Sequence, residues 1–464
     1  MSKYDVAILG AGPGGYVAAV RAAQLGLTVA LVEQEHLGGV CLNWGCIPTK
    51  ALLRNAEIVS LLQRGREFGF SVSGVDVDYG AAVDRSRQVS DRLVKGVGFL
   101  MRKNGVDVIE GRGTLVSPTA LEVELSTGGT QAIETNDVII ATGARARSIP
   151  GIDADGQQVL TYRSAVVLRE LPESAVIIGA GPIGMEFAHV WHSYGADITV
   201  VEMLPRALPL EDEAASKEVT RVFQRRGVKI MTSTRVQRVE TTTAGVLVTV
   251  VADDGTEDAL EAERTLVAIG VRPNTENIGL EEIGVKTERG NVVVDDHMRT
   301  NVPGVYAIGD VTGRMALAHV ASAQGIVAAE TLAGQETMPL DYEAIPRCTY
   351  CQPQVASLGI TVAEATERGY EVEVGEFPFR PNGKALALGE REGFVKIVAE
   401  RATGEILGAS LVGPEVTELL PELVLARTWE LTPEEIARTV HAHPTLSEAL
   451  MEAAHGVFGK PIHL

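Results

Sequence analysis

Two stretches of this chain repeat one another at a fixed offset, and that repeat limits the folds open to it. The first runs from the apolar segment 4–9 through Gly10-x-Gly12-x-x-Gly15 and a helical pattern to about Leu25, then an apolar run from Thr28 to Val32 that ends at Glu33. The second runs from Ala175–Ile178 through Gly179-x-Gly181-x-x-Gly184 and a helical pattern to Ile198–Val201 and Glu202. The differences 179 − 10, 184 − 15 and 202 − 33 all equal 169. A lone cluster of glycines at this spacing is weak evidence. Here each copy follows a strand, opens a helix and has a carboxylate 18 positions past its last glycine, the pattern that dinucleotide binding requires. The first glycine makes the turn, the second lets the backbone approach a pyrophosphate, and the third lets helix and strand pack closely. The helix N-terminus then holds the phosphates. The reading is an α/β chain with two Rossmann-like domains.

Composition sets the remaining bounds. A chain of 464 residues suggests about three domains. A net charge of −20 argues against nucleic acid as a partner and favours solubility. The N-terminal residues run straight into an apolar strand without the pattern of an export signal, and no apolar run approaches the roughly 18 residues that span a bilayer. The expectation is a cytoplasmic protein with no membrane contact, where paired thiols are more often catalytic than structural.

Two of only four cysteines lie in the run Gly38-Gly39-Val40-Cys41-Leu42-Asn43-Trp44-Gly45-Cys46-Ile47-Pro48-Thr49-Lys50, directly after the first nucleotide-binding unit. Residues five apart on an ideal helix have Cα atoms about 8.7 Å apart, whereas a disulfide needs less than about 7 Å. A Cys41–Cys46 bridge therefore requires a bend, and Gly45 is expected to supply it. Such a strained, accessible bridge is of the labile kind. Taken as a bare C-x4-C, two reduced cysteines packed under a loop remain an equal alternative.

The whole run resembles the redox signature of the pyridine nucleotide-disulfide oxidoreductases, and within them that of the dihydrolipoamide dehydrogenases. The resemblance implies an FAD domain, a nicotinamide domain and a C-terminal α+β interface domain that joins two subunits. On this reading the FAD domain with its central segment covers 1–148 and 273–341, the NAD domain 149–272 and the interface domain 342–464. The run from Thr300 to Asp310 resembles the family's second flavin segment, whose aspartate reaches the ribityl and pyrophosphate part of FAD. The family pattern thus puts FAD on Gly10, Gly12, Gly14, Gly15, Glu33, Gly39, Val40, Lys50, Gly113, Ala141, Thr142, Gly143, Asp310, Ala318 and His319. The second unit then takes the nicotinamide, on Gly179, Gly181, Ile183, Gly184, Glu186, Glu202 and Gly270. Glu202 favours NAD, because a carboxylate there can accept from both ribose hydroxyls and repels the extra phosphate of NADP; the alternative is a solvated glutamate at a strand end. In the family, the residues at Lys50 and Glu186 form an ion pair beside the flavin.

Near the C-terminus, His443-Pro444-Thr445-Leu446-Ser447-Glu448 resembles the family's acid/base signature, with His443 as the acid/base and Glu448 fixing its ring. A histidine titrates near neutral pH and can take a proton from an incoming thiol. Thr445-Leu446-Ser447-Glu448 also reads as a capping box for a helix over 446–457, so Glu448 has two candidate roles that can coexist. His441 reads as structural. Cys348 and Cys351 lack the further ligands that zinc would need and read as packing residues, with an oxidation-sensitive thiol as the alternative; no metal site is expected. The implied activity is oxidation of protein-bound dihydrolipoamide through Cys41 and Cys46, FAD and NAD. The implied partners are a second copy of the chain and the lipoyl domain and acyltransferase core of a 2-oxoacid dehydrogenase complex. A protein serving mainly as a docking subunit of such a complex is the contrasting reading.

Overall fold

In the computed structural model of the chain, the structure describes residues 2–464. The chain forms two compact units. One comprises the chain up to Ala51, Val83–Arg147 and Gly270–Leu340, and the other comprises Leu52–Ala82, Ser148–Ile269 and Asp341–Leu464. The expected domain limits near 148, 273 and 341 fall within three residues of places where the chain passes from one unit to the other. The second unit takes in both the expected NAD and interface segments, together with Leu52–Ala82.

The first unit is built on a parallel sheet. Ser2–Leu9 lies between Val29–Glu33 and the end of Thr130–Ile140, with the start of Asp107–Ser117 outside one and Val305–Ala307 outside the other. Strands covered on both faces read as continuous apolar runs, and Val6, Ala7 and Ile8 have no exposed surface. The far ends of the two long strands continue into an antiparallel meander through Ala120–Leu125. Helix Pro13–Gln24 follows the first strand after the glycine turn. The central strand thus has neighbours reached by opposite routes, and its C-terminal end is the switch point at which ligands bind in such sheets.

The second unit repeats this plan. Its five-stranded parallel sheet has the order Lys229–Met231, Asp197–Val201, Ser174–Ile178, Arg264–Val267, Val159–Leu160, and a separate three-stranded antiparallel sheet spans Thr234–Ala262. The same unit carries a five-stranded antiparallel sheet. Its order is Arg347–Thr349, Gln354–Gly359, Ile406–Gly413, Phe394–Glu400, Val372–Pro378. Helices Val416–Thr428 and Glu448–Val457 share its hydrophobic core, which includes Phe377, Phe379, Leu411, Leu420 and Leu450. No helix among the described residues is long and apolar enough to cross a membrane.

Candidate active site

The two glycine turns are the same object built twice. Gly10 and Gly179 have φ of 104° and 106°, a region that favours glycine. A Cβ on Gly15 would lie 1.9 Å from the Gly10 carbonyl oxygen, and one on Gly184 would lie 1.9 Å from that of Gly179. The third glycine of each motif is therefore fixed by close packing of helix on strand. Gly12 and Gly181 cap their helices in extended conformation, and a Cβ there would meet no protein atom within 4 Å. Their constraint comes from whatever fills the space beside them.

The acidic residue of each motif is held in the same way. Glu33 accepts from the Ala11 amide at 2.7 Å and from the Glu35 amide at 2.8 Å. Glu202, which is buried, accepts from the Ala180 and Leu204 amides, both at 2.8 Å. Glu202 is therefore not a solvated strand end. A carboxylate offers about four lone-pair sites, so each braced group still has acceptor capacity for ribose hydroxyls.

The residues of the first unit fit a flavin dinucleotide. Gly12 leaves open space at the helix start, and Gly14 lies against the Ala321 carbonyl at the beginning of helix Ala318–Leu332, which carries Ala318 and His319 in its first turn. Burial alone pushes the Asp310 carboxyl up to about 6, as expected of an acid whose hydrogen-bond donors come from outside the chain. The neighbouring Gly309 amide donates to the fully buried Gln324 at 2.6 Å, which fixes the turn that presents Asp310. Ala141 donates to the Leu9 carbonyl at 2.8 Å, and Thr142 Oγ1 donates to the Asn274 carbonyl at 2.7 Å; Gly143 and Gly270 have φ of 66° and 97°. Gly113 lies in the strand Asp107–Ser117, where a Cβ would strike Leu9 and Val32 of the core. Its packing alone accounts for the glycine.

Cys41 sits in the five-residue helix Gly39–Asn43 and Cys46 opens the helix Cys46–Gln63. The break expected between them is present, at Trp44 and Gly45. Gly38 and Gly39, with φ of 84° and 56°, make the left-handed turn that starts the short helix. Gly45 does not take positive φ, and a Cβ there would come within 3.1 Å of the Val40 carbonyl oxygen, a tight approach. Gly39 likewise packs on Gly12, where a Cβ would lie 2.8 Å from the Gly12 Cα. The two cysteines are not joined in a disulfide, and their thiols are in hydrogen-bond contact. The hydrogen bond to Cys46 and burial together push the Cys41 thiol up, while the charge of Lys50 opposes the shift.

His443 is an exposed imidazole held by one side. Its Nδ1 lies 2.8 Å from Glu448 Oε1, and the other Glu448 oxygen accepts from the Thr445 amide at 2.8 Å. Burial pushes the Glu448 carboxyl up, but the Thr445 amide and His443 outweigh it and hold the carboxyl below its ordinary value. Glu448 thus contacts both the His443 ring and the Thr445 amide, but not as part of a helix cap. Thr445 does not cap the helix: its hydroxyl donates to the Ala442 carbonyl at 2.7 Å, and the helix starts at Glu448 after Ser447, two residues later than expected. The His443 side chain is 77% exposed, and among the described residues no partner occupies its Nε2. The His441 side chain is 5% exposed and lies between Glu422 Oε1 and the Thr439 carbonyl, both at 2.9 Å, as suits a structural residue.

Lys50 is half-buried and engaged within the fold, and Glu186 is buried and accepts from the Tyr350 amide at 2.9 Å. Ile183 stands beside the glycine turn as the second residue of its helix. Val40 lies in the short helix with Cys41. Cys351 is fully buried and Cys348 packs against the core of the antiparallel sheet, so both are packing residues. Two residues outside the expected set support the cysteine turn. Asn43 is buried and donates to the Leu37 and Gly39 carbonyls at 3.0 and 2.9 Å, and Arg87 donates to the Asn43 carbonyl. Asn43 was at least within the motif; nothing in the sequence singles out an arginine in the middle of a long helix.

The chain is similar to known proteins over its whole length. The family model described as pyridine nucleotide-disulphide oxidoreductase matches residues 4–325, and the dimerisation-domain model of that family matches residues 345–454. A dihydrolipoyl dehydrogenase of Mycobacterium tuberculosis is 53% identical over 466 residues, covering 100% of each protein. The crystal structure of LpdA from Mycobacterium tuberculosis has a TM-score of 0.91 at 30% identity, covering 98% of this chain and 99% of that one. The Cu(II) complex of RclA, an HOCl-induced flavoprotein disulfide reductase from Escherichia coli, has a TM-score of 0.87 at 26% identity with the same coverage.

Proposed function

Because the chain belongs to the pyridine nucleotide-disulphide oxidoreductase family, we propose that Cys41 and Cys46 are the redox pair of a dihydrolipoyl dehydrogenase serving the acyltransferase of a 2-oxoacid dehydrogenase complex. The chain is an NAD-dependent flavoprotein oxidoreductase of the dihydrolipoyl dehydrogenase kind, and its C-terminal segment is a dimerisation domain. We read 1–148 with 273–341 as the FAD domain, 149–272 as the NAD domain and 342–464 as the interface domain. Thiol chemistry of this kind supports a cytoplasmic site of action. The observation that carries the reading is the Cys41–Cys46 contact across the break between two helices.

FAD would be held by the first glycine turn, Glu33 and Asp310, and NAD by the second turn and Glu202. When bound, they supply an acceptor for the dithiol's electron pair and its final store as hydride. The rest is the work of side chains. In the oxidised enzyme Cys41 and Cys46 are joined. One thiol of dihydrolipoamide gives its proton to His443, contributed by the second copy of the dimer, and its sulfur attacks Cys41 while Cys46 leaves as thiolate. The second substrate thiol then displaces Cys41, so the substrate is released as a disulfide and the enzyme holds the dithiol. The thiolate is the nucleophile, so a base is needed at neutral pH. Glu448, anchored through Thr445, keeps Nδ1 occupied and leaves Nε2 to meet the thiol.

The test is Cys46→Ser in the FAD-loaded dimer. Dihydrolipoamide-dependent NAD reduction should be abolished, while NADH-to-dye transfer, which bypasses the thiols, persists. Undiminished lipoamide turnover would remove Cys46 from the mechanism.

A further inference from the structure

Asn43 lies between the two cysteines and takes no part in the chemistry just described. It is 5% exposed, and its side-chain amide ties the last residue of the short helix Gly39–Asn43 back to the carbonyls of Leu37 and Gly39. Its own carbonyl stands at the C-terminal end of that helix, where carbonyls lack intrahelical partners and the dipole is negative. The Nη1 of Arg87, from the helix Tyr79–Lys103, donates to it. Arg87 is half-buried, and burial pulls its guanidinium below the ordinary arginine range, with the charge of Asp91 opposing. Among the described residues it forms no ion pair. A cation taken partly out of water is costly, and here its Nη1 donates to a backbone carbonyl between the cysteines.

We propose that Arg87 is a positioning residue for the redox pair: through Asn43 it fixes the break between the helices that carry Cys41 and Cys46, keeping the two sulfurs within bonding reach in both oxidation states. The proposal rests on the reading of Cys41 and Cys46 as the redox pair. The arginine suits this place because its planar fork holds a direction that a flexible ammonium does not.

The FAD-loaded dimer is compared with Arg87→Met, which keeps the aliphatic stem without a donor, and with Arg87→Gln, which keeps a neutral donor. Loss of a hydrogen bond from a charged group predicts that Arg87→Met lowers kcat for dihydrolipoamide about tenfold. KM and NADH-to-dye transfer should stay within about twofold by the same reasoning, and Arg87→Gln should recover part of kcat. A second readout is independent of turnover. Alkylation of Cys41 and Cys46 across a glutathione redox titration should show the disulfide forming about tenfold less readily in Arg87→Met. If wild type shows no reversible two-thiol couple, the redox-pair reading fails. If that couple exists and its equilibrium is the same in Arg87→Met, the positioning role alone is overturned. It is overturned equally if Arg87→Met loses dye transfer in proportion to lipoamide turnover, which would make Arg87 a support of the whole fold.

Discussion

Asp310 offers a prediction whose sign and size both come from the structure. Burial raises its carboxyl from the ordinary 3.8 to about 6 in the chain without cofactor. A shift of about 2 pH units corresponds to about 3 kcal/mol at most, and a half-buried group retains some water, so about 2 kcal/mol is expected. The folded state holds this proton more tightly than the unfolded chain. Its contribution to stability is therefore fully present below about pH 4 and is lost as pH rises through about 6. Asp310→Asn removes the titration. Cofactor-stripped Asp310→Asn should match the wild type in urea unfolding near pH 4 and exceed it by about 2 kcal/mol at pH 8. The holoprotein should behave in the opposite sense. Cofactor hydroxyls would supply the donors that the carboxylate lacks, so Asp310→Asn should bind FAD roughly tenfold or more weakly. Equal differences between variant and wild type at the two pH values would refute the assignment of strain to this carboxyl.

Other substitutions separate binding from folding. Glu202→Gln offers one carbonyl to two amide donors at 2.8 Å, so the affinity for NAD, read from the KM or by calorimetry, should fall roughly tenfold while reduction of the Cys41–Cys46 disulfide by dihydrolipoamide is unchanged. Gly181→Ala puts a methyl into empty space; its thermal unfolding should shift by no more than about 0.5 kcal/mol, yet NAD binding measured by fluorescence titration should weaken sharply. Lys396 and Asp212 form a buried ion pair at 2.7 Å, with side chains 11% and 9% exposed. Lys396→Met leaves the aspartate uncompensated and should cost about 3–5 kcal/mol in denaturant unfolding.

Where the sequence spoke clearly, it did so through residues whose surroundings allow one answer. The runs around Val6–Leu9 and Val176–Ile178 are apolar without alternation because both faces of a parallel sheet are covered. The glycines that follow are demanded by backbone atoms less than 2.5 Å from a would-be Cβ at Gly10, Gly15 and Gly184. What escaped depends on contacts between distant segments. Gly45 looked like a source of backbone freedom, but it does not take positive φ, and a Cβ there would approach the Val40 carbonyl tightly. Thr445 had the spacing of a cap and spends its hydroxyl on Ala442 instead. Arg87 is 44 positions from the carbonyl it serves, and the helix around it carries no local sign of that bond.

The repeat at offset 169 reaches down to single hydrogen bonds, and the point where it ends accounts for the division of labour between the two copies. Ala11 and Ala180 correspond, as do their donors' acceptors Glu33 and Glu202. The two alanine carbonyls also receive equivalent bonds, from the Gly38 amide at 2.8 Å in the first copy and from the Leu208 amide at 2.8 Å in the second. Both donors have positive φ, 84° and 46°. Beyond them the copies part. In the first, Gly39 continues the left-handed turn and packs on Gly12, and the chain enters the short helix with Cys41. In the second, Glu211 and Asp212 follow, and Asp212 caps the helix Glu213–Arg225 through the Ala214 amide. One duplicated scaffold can thus hold two dinucleotides, and the segment grafted after the shared bond decides which copy acquires thiols. Replacing Gly39 by any larger residue should therefore damage the first site and leave the second intact, because its Cβ would lie 2.8 Å from the Gly12 Cα.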